Sequence, residues 1–269
     1  MDNFAKFLLL LWTLFFLIVL FNIYKYFKYK KSLKKLKSQP LDYKYKTYLN
    51  NLPLYKNLPS NLKKIIEYKI QRFWLEKNII PVYLTLSDEI KTLIAFYGCI
   101  LTIGYEEYCY PRLQYIYIYP KAIKKTVYRD YIVENDVIIS GEALKDSVII
   151  SWHDAKYQIY KHSKRNVIIH EFAHILDFDD GVGDGIPPLD KDEIKNWKKY
   201  ILSTYNRLKK HKQEIFIDEY ALTNESEFFA VISEYYFTSP KTLIIHYPEL
   251  YSELKKFYKI DTFEILKNS

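Results

Sequence analysis

Residues 166–177 read Asn-Val-Ile-Ile-His-Glu-Phe-Ala-His-Ile-Leu-Asp. The apolar residues Val167, Ile168, Ile169, Phe172, Ala173, Ile175 and Leu176 predict a buried helix. On that helix His170 and His174 stand at i and i+4, on one face and one turn apart. Two imidazoles so placed can close on a single ion at about 2.0–2.1 Å. Glu171 projects beside them, where its carboxylate can take a proton from a water that zinc has acidified. This is the physical content of the H-E-x-x-H spacing. Two histidines and a glutamate on a buried helix are costly without partners, and a metal satisfies all three.

Two histidines do not complete a catalytic zinc site, which usually has three protein ligands and a water. Two sources of a third ligand are open. In the pattern H-E-x-x-H-x-x-G-x-x-H the third ligand would fall at Asp180, but the glycine that turns the chain is replaced by Asp177. The other source is a later helix over 224–237, which offers Glu225, Glu227 and Glu234. Asn224 and Glu227 also fit a capping box, and Glu234, seven residues further on, lies near the same face as Glu227. Spacing alone does not choose among them. Residues 177–185 hold four aspartates and three glycines but lack the EF-hand pattern, so they are expected to form a mobile loop beside the site rather than a calcium site.

Outward from the motif, helices are expected over 60–77 and 88–103, the second capped by Ser87 or Asp88. Strands are expected at 113–119, 127–133 and 147–152, rich in β-branched and aromatic residues. From about 163 the pattern is helical almost to the end. Helices, then strands, then helices predict an α+β domain.

The N-terminus has a different character. Phe7 to Phe21 is apolar except for Thr13, and the stretch through Tyr24 reaches about 18 residues, just enough to cross a bilayer. No small-residue cleavage site follows it, so an uncleaved anchor is expected rather than a signal peptide. Seven lysines between Lys25 and Lys37 follow without an acid. Positive flanks stay cytoplasmic, which predicts a single-pass protein with its body in the cytoplasm and residues 7–37 against lipid. The chain's net charge is +8, and subtracting these seven leaves roughly +1. The charge is therefore local, and no nucleic-acid partner is expected. Two cysteines exclude a disulfide scaffold and are expected to be reduced and buried. The expected organisation is an anchor over 1–24, a basic linker over 25–50 and a zinc peptidase domain over 51–269.

The chain resembles the Mlc titration factor A family, zinc-dependent peptidases of the gluzincin kind. The resemblance spans about 52–260. It rests on Ile169-His170-Glu171-Phe172-Ala173-His174-Ile175-Leu176-Asp177, and on Ile217-Asp218-Glu219-Tyr220-Ala221 leading into Glu227-Phe228-Phe229-Ala230-Val231-Ile232-Ser233-Glu234. It implies a zincin-like fold with zinc held by His170, His174 and Glu227, with Glu171 as general base. It also implies that Tyr220 lies near the metal, where its hydroxyl could stabilise an oxyanion. Asp177, at i+3 from His174, is expected to orient that histidine, and Glu234 to stand just outside the ligand set. The expected function is a membrane-anchored peptidase acting on peptides or proteins, and the resemblance implies an aminopeptidase-like activity. The alternative is a tethered protein that sequesters a transcriptional repressor, with weak hydrolysis.

Overall fold

The computed structural model describes residues 3–129, 132–139, 141–144 and 146–267. The chain divides into two units, Met1–Pro40 and Leu41–Ser269. The first is one helix, α1 (Asn3–Ser38), of 36 residues. At 1.5 Å per residue it is about 54 Å long. Its apolar segment is long and apolar enough to cross a membrane, and Leu10, Trp12 and Phe16 on it are all exposed.

The second unit is α+β and mostly helical. It opens with α2 (Tyr43–Leu49), α3 (Pro53–Lys56) and α4 (Ser60–Glu76), followed by β1 (Asn78–Pro81) and α5 (Asp88–Ile100). Then come β2 (Tyr115–Tyr119), β3 (Ile123–Arg129), β4 (Ile132–Ile139), β5 (Gly141–Ala143) and β6 (Ser147–Ser151). The rest is helical: α6 (Trp152–Tyr160), α7 (Val167–Asp177), α8 (Lys191–Trp197), α9 (Ser203–Lys210), α10 (Glu225–Thr238), α11 (Pro240–His246), α12 (Pro248–Tyr258) and α13 (Thr262–Leu266). Residues 25–50, expected as a linker, differ from that expectation. Helix α1 runs to Ser38, and α2 buries Leu49 completely, with Leu41 ahead of it also buried. Lysine-rich spacing conceals these two leucines in the sequence.

One sheet has the order β1-β2-β6-β5, and β3 pairs only with β4 among the described residues. Strands β1, β2 and β6 are parallel, and β5 runs antiparallel to β6 at the edge. The strand expected over 127–133 is instead parts of β3 and β4, with 130 and 131 outside the described residues. The parallel pairs explain the apolar strands: Ile116, Ile118, Val148 and Ile150 are fully buried.

Helix α7 lies across this sheet, touching β5, β6, α5, α6 and α10. Ile168, Ile169, Phe172 and Ala173 are fully buried. The Phe172 ring lies edge-on to Tyr110 at 5.1 Å and tilted against Phe73 at 5.9 Å. A Cβ on Gly98 of α5 would come within 2.7 Å of that ring, so only glycine lets α5 approach so closely. Burial of this kind holds α7 rigidly, and truncating a buried phenylalanine typically costs about 3–5 kcal/mol. Both cysteines are free and buried.

Candidate metal centre

Two helices build the centre. Asn166 caps α7, its Oδ1 accepting from the N–H groups of Ile168 and Ile169. That cap fixes the first turn, and His170 and His174 follow on the next two. Asn224 caps α10 in the same way, accepting from Glu227 N–H at 2.8 Å. Glu227 is therefore in the first turn of α10, with its backbone held by the cap and its side chain free to reach α7.

It does reach α7. Glu227 Oε2 is 3.0 Å from His170 Nε2 and 3.4 Å from His174 Nε2. The two Nε2 atoms are 3.2 Å apart. The three ligand atoms lie within 4.8 Å of one another, and the group could hold a metal ion. Two imidazole nitrogens facing each other need a cation or a proton between them, and with one carboxylate oxygen they are a donor set of the kind that suits a transition metal. The residues fit a metal. Asp180, the other source of a third ligand, is outside this group and sits on the turn Phe178–Asp180. Glu225 is outside it as well.

The far nitrogen of each imidazole is also engaged. His170 Nδ1 is 2.8 Å from Glu234 Oε1, so Nδ1 carries a proton and the Nε2 side faces the ligand group. Glu234 Oε2 also accepts from the backbone N–H of Asn166, tying α10 to the start of α7. His174 Nδ1 is 3.0 Å from Ser226 Oγ, and the Ser226 hydroxyl donates to Asp177 Oδ2 at 2.6 Å. The serine proton is committed to Asp177, so Oγ accepts from His174 Nδ1–H. Asp177 thus acts on His174 through Ser226, not directly as the i+3 spacing suggests. Asp177 is fully buried, and burial raises its carboxyl above the ordinary range.

Without a metal the centre is strongly polarised. Burial lowers the affinity of His170 for a proton, but hydrogen bonds to Glu227 and Glu234 outweigh it and raise its pKa to about 10. Burial would raise Glu227, yet His170 and His174 hold it well below the usual carboxylate range. Glu171 is 5% exposed and makes no such contact among the described residues. Burial pushes its pKa up to about 8. A carboxyl near neutrality can both accept and return a proton.

Tyr220 lies on the short turn Glu219–Leu222, capped by Asp218, which Arg165 pairs with. Its hydroxyl donates to Glu227 Oε1 at 3.2 Å, and its ring is half exposed. Burial and the Glu227 charge raise its pKa to about 12, so it is a donor throughout the neutral range.

Two residues at the centre have no signal in the sequence. Ser226 is one serine among many. Gly141 on β5 faces Glu171: a Cβ there would overlap the carboxylate, 2.7 Å from both Cγ and Cδ. The segment 177–185, expected to be a mobile loop, is tied at its end by Trp197 Nε1, which donates to Gly185 O at 2.8 Å.

A buried helix carrying two histidines, closed by a glutamate from a second helix in an α+β domain, defines a metallopeptidase-like class. The chain belongs to the glucose-regulated metallo-peptidase M90 family, whose family model matches residues 27–259. It is similar to an uncharacterized protein of Synechocystis sp., 32% identical over 83% of this chain and 86% of that one. It is also similar to proteins named Mlc titration factor A. The one from Serratia proteamaculans is 28% identical over 69% of this chain and 75% of its own length. The one from an Enterobacter species is 27% identical over 81% and 86%.

Proposed function

We propose that this protein is a membrane-anchored zinc metallopeptidase of zincin-like fold, with its catalytic domain, from about Leu41 onward, in the cytoplasm. The observation that carries this reading is the convergence of His170 Nε2, His174 Nε2 and Glu227 Oε2 beside a buried glutamate. His170, His174 and Glu227 would hold the zinc. When bound, the ion supplies Lewis-acid polarisation of the scissile carbonyl and acidifies the attacking water. Glu171 takes the water's proton at its carboxylate and returns it to the leaving amine. Tyr220 donates its phenolic proton in a hydrogen bond to the developing oxyanion, exchanging Glu227 for that partner. Glu234, and Asp177 through Ser226, keep both imidazoles in the tautomer that presents Nε2.

Strand β5 supports a peptide substrate. It is the sheet edge, and Gly141 on it packs against Glu171. An extended peptide adding to that edge would lie beside the general base. The anchor rests on the length and composition of α1, and the cytoplasmic side on its lysine flank.

The test is Glu171→Gln in the full chain, with zinc content and hydrolysis of short peptides measured together. About one zinc in both proteins with hydrolysis only in the wild type is the expected result. Equal turnover by the variant would refute Glu171 as the base. A second reading has its own observation: relatives are named for titrating Mlc. In that reading the protein sequesters a regulator and hydrolysis is weak. A repressor retained by the membrane-bound Glu171→Gln protein, with no peptide hydrolysed by the wild type, would favour it.

A further inference from the structure

A cavity with a volume of about 620 Å³ lies away from the ligand group. That is within the range of small-molecule sites, roughly 300–1,000 Å³. None of His170, His174 and Glu227 lines it. Its apolar wall includes Ile159, Phe237 and Phe263.

Four residues of the polar lining offer donors. Tyr97 is 7% exposed and lines the cavity, yet its hydroxyl makes no hydrogen bond among the described residues. Asn166 is 3% exposed, and its Oδ1 is already used by two backbone N–H groups. That fixes the amide's orientation and leaves Nδ2 without an acceptor among the described residues. Gln158 repeats the pattern: Oε1 accepts from Val167 N–H at 2.7 Å, and Nε2 has no acceptor among the described residues. Lys241 adds a charge with no ion pair among the described residues. No aspartate or glutamate lines the cavity. Tyr97 and Asn166 are buried side chains, Gln158 is half-buried and Lys241 is exposed, so an acceptor entering the cavity would meet open donors.

We propose that this cavity binds a small organic carboxylate with an apolar body. The acid group would accept from Tyr97, Asn166, Gln158 and Lys241, and the body would pack on Ile159, Phe237 and Phe263. The site is coupled by covalent structure to the metal helix. Asn166 is the α7 cap, and its N–H is held by Glu234, which also holds His170.

The experiment uses the full chain in lipid nanodiscs, titrated calorimetrically with 4-phenylbutyrate and with 4-phenylbutanol, against protein-free nanodiscs. The alcohol keeps the body and removes the charge. The expected result is saturable binding of one acid per chain, about tenfold tighter than the alcohol, since hydrogen bonds to a charged group are the strong ones. Tyr97→Phe and Lys241→Gln should each weaken the acid about fivefold or more, consistent with the loss of one charge-assisted contact. Tyr97→Phe removes a hydroxyl that has no partner in the free protein, so it should fold with an unchanged or higher Tm. Absence of saturable binding, equal affinity for acid and alcohol, or variants that bind the acid as the wild type does would overturn the proposal. The readout is binding, so it stands apart from whether the metal centre hydrolyses peptides.

Discussion

Removing one hydroxyl should separate the metal centre's geometry from its mere stability. In Ser226→Ala, His174 Nδ1–H loses its acceptor at 3.0 Å and Asp177 loses its donor at 2.6 Å. Asp177 is fully buried, so an unsatisfied carboxylate there should cost about 1–3 kcal/mol of stability. A second effect falls on metal affinity. With no acceptor at Nδ1, the imidazole also samples the tautomer protonated at Nε2, which cannot bind a metal, and its basicity as a ligand drops. Losses of this kind typically weaken metal binding by about 10–100-fold, or roughly 1.4–2.8 kcal/mol. Competition with a chromophoric chelator measures the affinity, and urea unfolding of the metal-free protein measures the stability. Ser226→Thr, which keeps the hydroxyl, should recover most of the affinity. If Ser226→Ala unfolds at lower urea but binds zinc as tightly as the wild type, the chain from Asp177 to His174 is structural packing only, and the argument for it fails.

Three further outcomes follow from the same coordinates. Gly141→Ala places a Cβ 2.7 Å from Glu171 Cγ and Cδ, where carbon atoms normally keep about 3.5–4.0 Å, so the carboxylate must move by roughly 1 Å. Peptide hydrolysis should fall about 10²-fold with zinc content unchanged, measured by steady-state kinetics beside metal analysis. The raised pKa of His170, about 10 without metal, means that zinc must displace a proton at neutral pH. Calorimetry in buffers of different ionisation enthalpy should show at least one proton released, with affinity weakening as pH falls; no release would contradict it. For the metal-free domain the sign runs the other way. The His170 contribution to stability is complete below about pH 6.5 and is lost as pH rises towards 10. Finally, Leu49→Ala should cost about 2–5 kcal/mol, seen as a lower urea midpoint, because Leu49 is fully buried in a unit that begins at Leu41.

Local patterns were legible in the sequence. The apolar spacing around His170 and His174, the Asn224 cap, and the apolar run of α1 are each written within a few residues, because helix periodicity and capping are short-range physics. The helices expected over 60–77 and 88–103 appear as α4 and α5, the latter capped by Ser87. Other assignments needed the fold. From spacing, Glu225, Glu227 and Glu234 were equivalent candidates. Their roles depend on where α10 crosses α7, which brings Glu227 to the Nε2 side of His170 and Glu234 to its Nδ1 side. Ser226 and Gly141 carry no pattern of their own. They matter because tertiary packing sets one between His174 and Asp177, and sets the other against Glu171 on an edge strand that the residues 141–143 did not announce. Helix α2 was hidden likewise, since a short lysine- and tyrosine-rich segment becomes a helix only when Leu49 finds a core. The sequence by itself determined which side chains could bind a metal on one helix. The tertiary structure decided which distant groups complete and orient them, because contacts between segments far apart in the chain depend on packing that no local periodicity encodes.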